Sequence, residues 1–600
     1  MLVMKTKRTV MIILTIGMIL SMSGCGGKQV QTGILKDGTY TGTADGFGGE
    51  LVMEAVIKDG MMQSLQVVKN NESAVLAEEA LTQVPKRIKE AQSLQVDGST
   101  GATMTTQAIQ AATSDCIAKA GGDLTTWQTD ATGKVKDTIK QEKTDTVVIG
   151  GGIAGAAAAL RLEQLGISVT LFEKMPQVCS SLAYSDGLQI VTGSSLMANG
   201  SLQRLQDEVN KIGNNEADAD MQALFIDNIP TSIDWEIKDL GIGFDPELVE
   251  DEDYSVLSLG RMTDSADSLH KLLSMELDVS GTKVYTDTMA YELMVDDGRI
   301  VGVKAKKKDG TVYEVTCDHV IMATGGYGNS QLLLPDRSYC GNIGDTGDMI
   351  LLGQTQKLSF AHTKQDHNEL YWPTVMVNGK YAIPAEDAVK QAVDKGAIIV
   401  NREGRRFANE IDHAAMTDAV TDGVSAFLIM DSDMYASFYA AWTKGISKDL
   451  KKTVEDSKTG LSARVKGETL AEAAEKAGVN PQELGKTLAT YNADCEAGVD
   501  RGYGRDAAIM KKIQEEDGYA IVPLEQAVWM TPAGLKADKS LHLTKTDGSV
   551  YDNVYVIGEA VGNVFGTTMP TGGSTTWAFV SGKTVADNIA ATLIAPTQQP

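Results

Sequence analysis

The sequence predicts an α/β fold: a Rossmann-like domain interrupted by an α+β segment and preceded by a small α+β module. Three observations predict it. An apolar strand over Thr146–Ile149 runs into Gly150, Gly152 and Gly155, then a helix of small residues and a second apolar strand ending in Glu173. Two further apolar strands, His319–Met322 and Val554–Ile557, also run into glycine turns but lie far along the chain. Upstream, alternating segments at Leu51–Ile57 and Leu65–Val68 flank Lys58-Asp59-Gly60, the pattern of a hairpin. A chain of 600 residues exceeds one hydrophobic core, so several domains are expected.

Taken in order, Lys5, Lys7 and Arg8 precede an apolar run from Val10 to Met22 and then Ser23-Gly24-Cys25. The run is too short for a bilayer, which needs about 20 apolar residues, and it fits a secretory signal peptide. The small residues before Cys25 resemble a bacterial lipobox, which implies a lipidated Cys25 at the mature N-terminus. An ordinary signal cut near Gly24 is the alternative. Residues 1–24 are therefore expected to be the signal peptide and 25–33 a polar tether. The small module is expected over 34–120 and a polar linker over 121–143. The Rossmann-like domain is expected over 144–360 and 521–600, with the insertion over 361–520 between its two parts. Within the insertion, Glu468 to Pro481 places apolar and alanine positions at helical spacing.

Composition narrows the function classes. A net charge of −26 argues against nucleic-acid binding. Besides Cys25, cysteines stand at 116, 179, 317, 340 and 495 and form no CxxC pair, so no metal or iron–sulfur site is indicated. There is no CxxCH for haem attachment either. Gly582-Lys583-Thr584 mimics the end of a P-loop, but Trp577 stands where its first glycine belongs.

The first glycine motif has a direct chemical meaning. Gly150 permits the tight turn, Gly152 lets the backbone approach a pyrophosphate, and Gly155 lets helix and strand pack closely. Ile153 and Ala154 open a helix whose N-terminus offers free N–H groups to phosphate. Glu173 stands where an acid accepts hydrogen bonds from a ribose, with Lys174 beside it. The order of these parts predicts a dinucleotide site.

Ala323-Thr324-Gly325-Gly326 follows the strand His319–Met322; Gly558-Glu559 and then Gly572-Gly573-Ser574-Thr575 follow Val554–Ile557. With the first motif, these resemble the FAD-binding domain of the fumarate reductase and succinate dehydrogenase flavoprotein family. The resemblance implies that the ATGG turn closes over FAD and that Glu559 binds the ribityl chain. It also implies that the helix from Gly573, Ser574 and Thr575 points at the flavin pyrimidine, where reduction builds negative charge. The segment Cys179–Gly187 lacks a histidine for attachment, so FAD is expected to be non-covalent. Asp97-Gly-Ser-Thr-Gly-Ala-Thr-Met-Thr105 resembles the signal read by flavin transferases, which implies FMN esterified to Thr103. The hairpin before it is similar to the small FMN-binding domain that precedes such flavoproteins. The alternative is a hydroxyl-rich loop capping a helix that starts near Thr105.

Gly396 to Glu410 is similar to the capping segment of the same family, which closes over substrate beside the flavin. The resemblance implies that Arg406, Asn409 and Glu410 hold that segment. Three arginines that bind or protonate dicarboxylates in the family are absent: their positions hold Ala414, Val393 and the loop Gly566–Gly573. Unpaired buried carboxylates cost several kcal/mol, so fumarate and succinate are not expected substrates. His413, His362, His367 and Tyr371 are the candidate proton donors and substrate binders.

The expectation is an extracytoplasmic reductase anchored in the cell membrane through its lipid. FMN would be placed on Thr103 by a flavin transferase, and electrons would come from a membrane quinol or flavin carrier. Hydride would pass through FAD to a small-molecule unsaturated acceptor, an enoate or enone. A dehydrogenase of a steroid-like ketone and an electron shuttle without a specific substrate remain open as alternatives.

Overall fold

The computed structural model describes residues 35–594 with breaks, the longest at 128–138, 251–257 and 445–463. The signal peptide, Cys25 and His367 lie outside the described residues, as do residues 97–102 before Thr103.

The first module is a three-stranded antiparallel sheet of Gly38–Gly46, Gly49–Lys58 and Met61–Lys69 in sequence order. Asp59 and Gly60 both take left-handed backbone, at φ 53° and 76°, and Lys58 pairs with Met61. This is the two-residue turn whose twist matches the flanking strands, and the reason Asp-Gly forms the hairpin. Leu51, Met53, Ala55 and Ile57 alternate onto one face. There they meet Ile109, Ala112, Cys116 and Ile117 of the helix Thr103–Lys119. A Cβ on Gly42 would overlap the Ala112 carbonyl, so the helix lies directly on the first strand.

The main domain is built on six strands. Their order is Lys283–Tyr285, Val169–Phe172, Thr146–Ile149, His319–Met322, Val550–Val556 and His542–Thr544. The first five run parallel and the last is antiparallel. Val147, Val148, Leu171, Val320, Ile321 and Val554 are buried, as expected for strands covered on both faces. The helix Ile153–Gln164 packs on the helix Gly573–Ile594. A Cβ at Gly582 would lie 2.6 Å from the Ala154 oxygen and 2.8 Å from the Ala157 Cβ. Gly582 therefore serves helix packing, which accounts for the false P-loop.

Two expected boundaries need correction. The linker 121–143 ends in a strand, Ile139–Lys143, which pairs in parallel with Val312–Thr316 at the edge of a four-stranded sheet. An exposed edge strand is held by backbone bonds and needs no apolar pattern, so its polar sequence hid it. The insertion also runs past 520. The strand Gly518–Met530 pairs with Ala426–Asp431 through its first half and with Glu369–Met376 through its second. It belongs to the cap sheet, and the chain returns to the main domain only after Met530. The predicted helix is Leu470–Ala477, started by a Thr469/Glu472 capping box and ended by Gly478 at φ 72°. Among the described residues, no helix is long and apolar enough to cross a membrane.

One buried group marks the main domain. Glu236, in the helix Ala219–Lys238, is fully buried. It accepts from Gln189 Nε2 at 2.6 Å and Ser232 Oγ at 3.1 Å. Burial pushes its carboxyl up to about 8, and these hydrogen bonds only partly oppose that.

Two outcomes are expected. Gly582→Val should destabilise the protein by about 1–3 kcal/mol or more, because neither helix can move away without opening the core; chemical denaturation measures this. For Glu236, the raised native value means its neutral form is compatible with the fold. Its contribution is complete below the ordinary 4.5 and is lost as pH rises through about 8. Thermal melts of Glu236→Gln should therefore lose less stability than wild type over that window, and parallel curves would contradict the assignment.

Candidate active site

The dinucleotide cradle is assembled from close approaches that only glycine allows. Gly150 has φ 104°, and a Cβ there would overlap the Ala323 carbonyl. A Cβ on Gly155 would overlap the Gly150 carbonyl. Gly152 is the N-cap of the helix that Ile153 and Ala154 open, and no side chain caps it. The first-turn N–H groups are thus left for a ligand.

Glu173 is 7% exposed, and its carboxylate accepts from Gly151 N at 2.6 Å and Met175 N at 2.7 Å. Burial raises its pKa, with those backbone donors opposing the shift. Lys174 does not reach the cradle as a lone cation: its Nζ binds Asp348 Oδ2 and Thr346 Oγ1, both at 2.6 Å.

Thr324, Gly325, Gly326 and Glu559 line a cavity with Tyr327 and Gly534. Glu559 Oε1 accepts from Thr531 N and Oγ1, both at 3.0 Å. A Cβ on Gly326 would overlap both Thr531 and Glu559. Asp345 lies against Gly325 from the other side and accepts from the Tyr339 hydroxyl at 2.7 Å. Burial and then Glu559 hold the Asp345 carboxyl well above the usual carboxylate range. Glycines whose Cβ would find no room, an uncapped helix N-terminus and the buried Glu173 beside it fit a dinucleotide. Gly150, Gly152, Glu173 and the Thr324–Gly326 turn would hold it.

The last helix begins at Gly573. Gly572 precedes it with φ 72°, Thr575 Oγ1 lies 3.1 Å from Ser185 Oγ, and Thr576 Oγ1 accepts from Ile190 N at 2.8 Å. Trp577 Nε1 donates to the Gly558 carbonyl at 3.0 Å, tying this helix to the turn before Glu559.

In the cap, Arg406 binds Glu410 through Nε and Nη2, both at 2.6 Å, and Asp500 at 3.1 and 2.9 Å. Burial raises the Asp500 carboxyl, but Arg406 and backbone N–H groups outweigh it and hold the group well below its ordinary value. These groups clamp the segment and are not available for chemistry. Asn409 Oδ1 accepts from Ile411 N at 3.3 Å, completing the turn before the helix His413–Thr421.

Of the four candidate proton donors, the structure brings two together. The Tyr371 hydroxyl donates to Glu386 Oε2 at 2.6 Å, and His413 Nε2 lies 4.0 Å from Glu386 Oε1. His413 Nδ1 is 3.5 Å from Thr417 Oγ1, and its ring is 5.9 Å from that of Trp372. Burial and then Glu386 push the Tyr371 hydroxyl well above its ordinary value, so it stays protonated.

His362 stands elsewhere. It pairs with Leu535 in an isolated bridge, and its Nδ1 lies 2.9 Å from the Thr363 carbonyl oxygen. Of the positions lacking arginine, Ala414 is exposed beside His413, while Val393 is buried with its carbonyl bound by Arg505. Met569 is buried. Glu386, Asp345 and Thr531 were not foreseen. Glu386 follows Pro384-Ala385 and looks like an ordinary first-turn acid, and the other two lie in no recognisable motif. Among the described residues, no cluster of histidine, cysteine and carboxylate groups could hold a metal.

Comparisons with known proteins agree with this geometry. A family model for an FAD binding domain matches residues 145–576, and one for an FMN-binding domain matches 46–118. The chain is 26% identical to NADH:acrylate oxidoreductase of Vibrio harveyi over 622 residues, spanning 90% of this chain and 60% of that protein. It is 26% identical to urocanate reductase of Eggerthella lenta, spanning 96% and 97%. It is 24% identical to vinyl phenol reductase of Lactiplantibacillus plantarum, spanning 74% and 96%. In fold it is similar to a flavocytochrome c3 fumarate reductase, with TM-score 0.58, 22% identity and 76% and 79% of the two chains. The 3-ketosteroid delta1-dehydrogenase of Sterolibacterium denitrificans gives TM-score 0.57 at 17% identity, over 75% of this chain and 100% of the other. With the cradle, the ATGG turn and the last helix in place, the chain belongs to the fumarate reductase/succinate dehydrogenase flavoprotein family of FAD-dependent oxidoreductases and carries an FMN-binding domain ahead of its FAD domain.

Proposed function

We propose that the protein is an extracytoplasmic flavin-dependent reductase that delivers hydride to the C=C bond of an enoate or enone other than fumarate. The observation that carries this reading is the Tyr371–Glu386–His413 group on the cap, whose His413 adjoins Ala414, the position where the family resemblance expects an arginine. Relatives named for acrylate, urocanate and vinyl phenol support a C=C acceptor. Bound FAD supplies hydride at its flavin ring, and FMN supplies the relay of electrons toward it.

The chain's residues do the rest. Reduction of a C=C bond needs a proton at the carbon beside the one that takes hydride. His413 is the proton donor; the Glu386 carboxylate lies 4.0 Å from its Nε2 and itself accepts from the Tyr371 hydroxyl at 2.6 Å. Thr103 carries the FMN, placed by a flavin transferase; Cys25 carries the lipid; and a membrane quinol or flavin carrier supplies electrons. Covalent attachment suits a cofactor outside the cell, where a dissociated flavin is lost by dilution. Oxidation of a steroid-like ketone is the weaker reading: ketosteroid enzymes of this family carry a tyrosine where the buried Met569 stands.

Anaerobic turnover of reduced methyl viologen should be seen with an aryl enoate or enone and not with fumarate. His413→Ala should lower kcat about 100-fold or more, with FAD content unchanged. Rapid fumarate reduction would show that the cation-poor site has been misplaced. Thr103→Ala should leave releasable FAD intact and abolish the flavin that stays with acid-denatured protein; a retained flavin in that variant rules out Thr103 as the attachment point.

A further inference from the structure

We infer that Glu386 sets substrate specificity: it selects a planar acceptor whose end at Oε1 presents a hydrogen-bond donor, such as an aryl hydroxyl or a ring N–H, and rejects a carboxylate at that end. The inference rests on the reductase reading above and names its substrate class.

Glu386 has one oxygen engaged and one available. Oε2 takes the Tyr371 hydroxyl at 2.6 Å, whereas among the described residues Oε1 has only His413 Nε2 at 4.0 Å, too far for a hydrogen bond. The two side chains are 51% and 54% exposed, so a ligand can reach both. A donor placed on Oε1 makes a charge-assisted bond, roughly twice as strong as a neutral one. The neighbouring rings favour a flat molecule. Trp372 lies 5.9 Å from His413, and Trp529 lies 5.4 Å from Tyr371 at an angle of 34°.

Among the described residues, these cations of the cap are engaged elsewhere. Lys390, on the same helix as Glu386, pairs with Asp394 at 2.8 Å. Arg405 binds Glu483, Arg406 binds Glu410 and Asp500, and Arg402 lies over Phe427. Asp387 adds a second acid beside Tyr371. A substrate carboxylate brought to this corner would meet like charge as the cap desolvates it, which the missing arginines cannot offset.

The test uses three enones of one shape, 4-hydroxybenzalacetone, its 4-methoxy ether and its 4-carboxy analogue. They are assayed with the two-flavin protein and reduced viologen, alongside fumarate. Wild type should prefer the hydroxy over the methoxy compound by about 10- to 100-fold in kcat/KM, the range for a hydrogen bond to a charged group. It should use the carboxy compound least. Glu386→Gln should shrink the hydroxy/methoxy ratio to within a few-fold and raise relative use of the carboxy compound, with FAD absorbance and melting temperature confirming that the variant is folded. Equal rates with all three enones, or a ratio unchanged in Glu386→Gln, would overturn this inference and leave the reductase reading standing. Reduction of fumarate with none of the enones used would overturn both.

Discussion

The structure depends on how closely three backbone segments meet at the end of the central sheet. The Gly150 turn, the first turn of the helix at Gly155 and the carbonyl of Ala323 occupy a space in which no Cβ fits. That approach sets where the helix N-terminus points, brings the ATGG turn beside the first strand, and draws Glu173 back to bond the N–H of Gly151. The last helix is fixed to the same point: Gly582 lies against Ala154, and Gly558 also comes within 2.8 Å of the Ala154 side chain, measured from where its Cβ would be. Cradle, turn and last helix are thus one unit, and the cofactor site follows from backbone packing more than from side chains.

The cap contributes a different kind of order. Its buried ions, Arg406, Glu410, Asp500 and Arg505, are paired with one another or with backbone, so their cost of burial is offset inside the cap. Glu386, His413 and Tyr371 are less buried, and the proposed reading sets them to work on a substrate. A family site that elsewhere grips two carboxylates with guanidinium groups carries here an imidazole, a phenol and a carboxylate. On the proposed reading, this change of charge would redirect the chemistry from dicarboxylates to less charged acceptors.

Much of this was legible in the residues. Glycine positions are readable because steric exclusion leaves a sequence mark, as at Gly150, Gly155 and Asp59-Gly60. Buried parallel strands such as Val147–Ile149 announce themselves as apolar runs. The polar edge strand Ile139–Lys143 did not, because backbone pairing leaves no side-chain pattern, and the apolar strand Gly518–Met530 carries no mark of which sheet it joins. Side-chain partnerships formed across the insertion were the least visible. Glu386 meets Tyr371 and His413 only because three elements of the cap converge, and Asp345 reaches Gly325 from a loop with no motif.

The most direct test isolates the acceptor half-reaction from any electron donor. The protein is reduced anaerobically with a stoichiometric amount of dithionite and mixed in a stopped-flow instrument with a neutral aryl enone or with fumarate. The account predicts rapid return of oxidised-flavin absorbance with the enone and none with fumarate. Reoxidation by fumarate with the enone inert would contradict it.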